Sequence, residues 1–125
     1  MNSQTFTIPN RLASSGEMVG TAASANHAYR SREEHNIHLV LWAIKKADIK
    51  TVLGSCRLRI KWVEPTPSRR PADVAAAAVF IQWGLHDAGI VKDPMRILSV
   101  VNEFAVNAKD PRVEVTIESA YGGRE

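Results

Sequence analysis

The stretch Cys56–Val63, CRLRIKWV, constrains the fold most strongly. From Cys56 to Trp62 its residues alternate: Cys56, Leu58, Ile60 and Trp62 are apolar, while Arg57, Arg59 and Lys61 are cationic. A period of two places these sets on opposite faces of a β-strand, one toward a core and one toward water. A chain built around such a strand needs further strands beside it and an apolar layer on one side only. That requirement predicts an α+β protein with helices packed on a single sheet face.

The remaining segments supply those partners. Residues 4–9 suit a short first strand that Pro9 ends. Leu12 to Asn26, rich in Ser, Ala and Gly, predicts a mobile loop. From Tyr29 to Ala47 the period becomes helical, with Ile37, Val40, Leu41, Ile44 and Ala47 on one face. Ser31 and Glu34 have the spacing of a capping box, and Lys45 and Lys46 suit the dipole of a last turn. A second helix is predicted from Asp73 to His86, with Val74, Ala78, Ile81 and Leu85 as its stripe and Gly89 as its stop. Residues 96–106 and 112–118 read as strands, and Asn107–Pro111 has the turn chemistry of a hairpin. Residues 121–125 predict a frayed tail. The expected order is β-α-β-α-β-β in one domain over residues 1–125.

Composition limits the function classes. At 125 residues the chain buries roughly two-thirds of its unfolded surface, so no metal or disulfide is required for stability. One cysteine, Cys56, excludes an internal disulfide and a cysteine-based zinc site, and its place in the alternation predicts a buried thiol. No apolar run approaches the roughly 20 residues of a membrane span, and the first ten residues lack the pattern of a secretory leader. A cytoplasmic setting with no membrane partner is the expectation. No P-loop, GxGxxG or GxSxG pattern occurs.

The net charge of +3 is unremarkable, but its distribution is uneven. Between Arg57 and Arg70 five cations (Arg57, Arg59, Lys61, Arg69 and Arg70) face one carboxylate, Glu64. Such a surface could track phosphates, and it could equally be a solvated sheet face. Asp73 and Asp93 stand at the two ends of the second helix; both could ligate Mg²⁺, or act as a first-turn residue and a turn former. His35 and His38, three apart on a helix, lack a matching ligand pair and predict a solvated face. Trp42, Trp62 and Trp83 occupy apolar positions and predict packing.

The order of these segments resembles the RusA family of Holliday-junction resolvases, small nucleases of bacteria and their phages. The resemblance covers most of the chain. It runs from FTIP (residues 6–9) and a variable loop to Tyr29-Arg30, the alternating strand, the arginine-rich loop, the helix ending in Ala88-Gly89, an acidic turn and a terminal hairpin. It implies a Mg²⁺-dependent endonuclease that acts as a homodimer on branched DNA, the four-way junction. Asp73 and Asp93 would be the catalytic metal ligands, with Arg57, Arg59, Lys61, Arg69 and Arg70 holding DNA. The setting it implies is a bacterial or phage-infected cell. The family's second Asp and Asn fall on Ala75 and Ala76, its lysine on Val79, and the partner of Asp93 on Pro94. Half of the carboxylates are therefore replaced by residues that favour helix over chemistry. The departure predicts a relative that binds branched DNA without cutting it, or one that binds a host protein.

Overall fold

The computed structural model describes residues 3–9, 12, 22–67 and 69–120, with side chains of the first helix described from Glu34 onward. The elements are β1 (Ser3–Pro9), α1 (Ala22–Lys46), β2 (Cys56–Glu64), α2 (Pro71–Asp87), a short 3-10 turn (Pro94–Arg96), β3 (Ile97–Val106) and β4 (Arg112–Ser119). They form a four-stranded mixed sheet in the order β1-β4-β2-β3, with both helices on one face.

β2 is central because it can be buried on one face and paired along both edges. It runs antiparallel to β4, with Ile60 opposite Val115, and parallel to β3, with Trp62 opposite Phe104. Cys56, Leu58, Ile60 and Trp62 are all buried, beside Phe6 and Ile8 of β1 and Val113, Val115 and Ile117 of β4. The alternation of β2 thus becomes a layer of alternate residues from three strands. Val40, Ala43 and Ile44 of α1 and Val74, Ala77, Ala78, Ile81 and Leu85 of α2 close over it.

The hairpin expected across Asn107–Pro111 does not form, because β3 and β4 lie on opposite sides of β2. The turn itself is present: the Lys109 amide donates to the Asn107 side chain at 3.1 Å. The Asn107 amide donates to the Glu64 carbonyl at 2.8 Å, so the connection crosses the end of β2. Turn chemistry is local; the choice of neighbour is decided by which edges β1 and β2 offer to β4.

The first helix begins at Ala22, inside the segment expected to be a loop, and the remainder of that loop (residues 13–21) lies outside the described residues, as does the tail 121–125. Positions 31 and 34 are therefore interior to α1 and not at its start. No Gly or Pro interrupts residues 22–46, and the alanines there are strong helix formers. The end of α2 follows expectation: the helix closes at Asp87, the Gly89 amide donates to the His86 carbonyl at 3.0 Å, and Gly89 has φ 74. That φ is left-handed and favours glycine. Trp62 is fully buried, but Trp42 and Trp83 are half exposed, contrary to the packing expected of them. Trp42 instead lies under the Lys46 ammonium, and Trp83 packs edge-on against Phe80. None of the described helices is long and apolar enough to cross a membrane.

Candidate nucleic-acid interface and the two aspartates

Pro71 opens α2 at N1, so Asp73 is the third helical residue, where a carboxylate favours the dipole. Arg70 grips it in a fork: Nε donates to Oδ2 at 2.9 Å and Nη2 to Oδ1 at 3.3 Å. The Asp73 side chain is 15 % exposed and that of Arg70 78 %. Asp93 caps the 3-10 turn, where its Oδ1 accepts from the Met95 amide at 3.0 Å. Each aspartate therefore has a structural partner of its own.

The two do not meet within one protomer. α2 rises about 1.5 Å per residue, which sets Asp73 about 21 Å along the axis from Asp87. Pro71 stands beside Phe104, Ala105 and Val106 at the far end of β3, whereas Asp93 lies beside Val52, Leu53 and Gly54 near its start. A shared Mg²⁺ would need both carboxylates at roughly 2.0–2.1 Å. Among the described residues no three His, Cys, Asp or Glu side chains gather as a metal site. The donors present do not fit the Mg²⁺ that the family resemblance implies. Ala75, Ala76 and Val79, where that family carries its other catalytic side chains, are exposed on α2. The surface for chemistry is there, without polar groups to perform it.

The five cations are dispersed by the fold. Arg57, Arg59 and Lys61 are exposed on the helix-free face of the sheet. Register gives each a carboxylate neighbour: Glu118 lies opposite Arg57, and Lys61 sits between Glu114 on β4 and Glu103 on β3. Arg59 reaches diagonally to Glu103 at 3.4 Å and Glu118 at 3.9 Å. Arg112, also on this face, pairs with Glu114 at 2.6 Å. The guanidinium of Arg112 is held more basic than usual by that hydrogen bond. The basic stripe of β2 is thus one column of a mixed-charge face, a fact hidden in glutamates more than forty residues away in sequence.

Arg69 departs furthest from expectation. Its side chain is 2 % exposed, and it pairs with Glu64, itself 4 % exposed, at 3.5 Å. The guanidinium also donates to the Leu12 carbonyl and lies 5.3 Å from the centre of the Trp62 ring. It fastens the proline-rich loop to the core.

The remaining candidates resolve simply. His35 and His38 are exposed on α1. Cys56 is fully buried, and burial pushes its thiol above the ordinary value. The thiolate is the reactive form. Cys56 will therefore resist an aromatic disulfide reagent at pH 8 in the native protein and react at once in denaturant; fast native labelling would show that the start of β2 opens.

No protein-family model matches the chain, and no curated protein matches it.

Proposed function

We propose that this protein is a RusA-like protein that holds branched DNA, as a pair of copies, without cutting it. The observation that supports the loss of cutting is the exposed face of α2, where Ala75, Ala76 and Val79 stand at the positions the resemblance gives to polar catalytic side chains, while Asp73 and Asp93 are each engaged by a partner of their own. The holding surface would be Arg57, Arg59 and Lys61 on the open sheet face, with Arg70 at one end. Exposed ion pairs contribute only about 0–1 kcal/mol, so Arg59 can exchange Glu103 for a phosphate at small cost. The remaining glutamates repel the backbone and keep binding modest.

A second reading, a protein-binding scaffold, is favoured by one observation: each cation on that face has a carboxylate beside it. A labelled four-way junction with Mg²⁺, run under native and denaturing conditions beside the Asp73→Asn variant, separates the two. The expected result is a retarded, uncut junction, indistinguishable between wild type and variant. Its affinity should fall with salt along a shallow slope of about two to three phosphate contacts. Symmetric nicks lost in Asp73→Asn would overturn the loss of cutting. No retardation at low salt would transfer the function to the protein-binding reading.

A further inference from the structure

The two edges of the sheet are built differently. β1 is seven residues long, exposes Ser3, Thr5 and Thr7, and ends in Pro9. These are ordinary protections against pairing with another chain. β3 is ten residues long, contains no Pro, Lys or Arg, and has Glu103 as its single charge. Leu98 (48 % exposed), Val101 (48 %), Phe104 (49 %) and Val106 (57 %) lie along it. A register shift between Cys56 and Arg57 leaves Leu98 without a partner on β2, and from Ser99 to Val106 the strand is regular. A long apolar edge of this kind is a template for one more strand.

We infer that the edge of β3 pairs antiparallel with β3 of a second copy, joining two four-stranded sheets into one of eight strands. The inference names the face behind the paired copies of the reading above, and its test uses no DNA, so the two fail separately. The edge is self-complementary. A two-fold axis at Asn102 places Val100 of each copy opposite Phe104 of the other. It also brings Leu98 opposite Val106. Val106 lines a cavity of about 250 Å³ with Phe104, Pro67 and Pro71 on its apolar side and the Glu64–Arg69 pair and Thr66 on its polar side. In this register Glu103 faces Val101. Moving the axis to residue 103 would set Glu103 against its own copy, and like charges directly opposite are destabilising. Nine paired residues, 98–106, at about 3.4 Å each make a seam about 31 Å long. With side chains on both faces it hides roughly 500–600 Å² on each copy, just above the ~1,000 Å² total of a specific interface.

Sedimentation velocity across a concentration series tests this on the wild type, Val101→Lys, Leu98→Arg and Trp83→Ala. All three positions are exposed, so the fold survives, and circular dichroism melts check that it does. The expected result is a concentration-dependent dimer for wild type and Trp83→Ala, and at least a tenfold weaker one for the two β3 variants. Hydrogen exchange at high against low concentration should add protection on residues 99–106 and none on β1. A wild type that stays monomeric overturns the inference and leaves the edge to an extended segment of another protein. A dimer that survives both β3 charges, or dissolves in Trp83→Ala, also overturns it, in the latter case in favour of a helix-face interface.

Discussion

Replacing Arg69 with alanine will destabilise the protein by about 3–5 kcal/mol, the usual effect of removing one partner of a buried ion pair. The guanidinium sits between the Glu64 carboxylate at 3.5 Å and the Trp62 ring at 5.3 Å, with Leu12 at its other end. Without it Glu64 remains buried at 4 % side-chain exposure and loses the Arg69 pairing. Two readouts separate this role from phosphate binding. Urea melts should show the loss with no DNA present. Arg69→Met, which keeps much of the packing and drops the charge, should also be strongly destabilised, whereas the double variant Arg69→Met, Glu64→Gln should recover part of the loss because no uncompensated carboxylate remains. By contrast Arg57→Ala, on the open face, should change stability by less than about 0.5 kcal/mol. If Arg69→Ala melts like wild type and binds DNA less well, Arg69 belongs on the binding surface after all.

Arg69 also shows where the sequence stops being legible. The period-two pattern of Cys56–Val63 correctly fixed which side of β2 is buried, and the stripe of α2 (Val74, Ala78, Ile81 and Leu85) is buried as its spacing requires. These patterns are decided within one element. The position of β4 between β1 and β2 is not, since Asn107–Pro111 would serve a hairpin or a crossing equally well. The same limit applies to the charges. Arg57, Arg59 and Lys61 read as a basic stripe because strand neighbours are invisible in one dimension, and Glu103, Glu114 and Glu118 arrive only with the register. Asp73 and Asp93 read as a pair in one dimension, whereas the helix between them, rising about 1.5 Å per residue, is a spacer within one protomer. Arg69 and Arg70 are adjacent and chemically identical, yet one is buried and one exposed. Only the entry angle of α2 and the presence of Glu64 and Trp62 beneath the loop distinguish them.

Gly84→Ala will cost about 1–3 kcal/mol, the effect of overpacking, although alanine is the better helix former by about 1 kcal/mol in isolation. At Gly84 the backbone of α2 lies directly against Val40 of α1. A Cβ there would overlap Val40 Cγ1 and stand 3.0 Å from Val40 Cβ. Val40 is fully buried and β-branched, so its side chain is restricted to few χ1 rotamers on a helix. The overlap must therefore move the helices apart, over a core that both of them cover. Val40→Ala alone opens a small cavity and is destabilising by the transfer and cavity terms. Together the two substitutions add one methyl at position 84 and remove two at position 40, including the Cγ1 that overlaps, so the double variant should be more stable than the sum of the single losses predicts, by at least about 1 kcal/mol. Thermal melts of the four proteins in the cycle measure this. Additive losses would mean that α1 and α2 adjust independently and that the helix crossing is not set by Gly84.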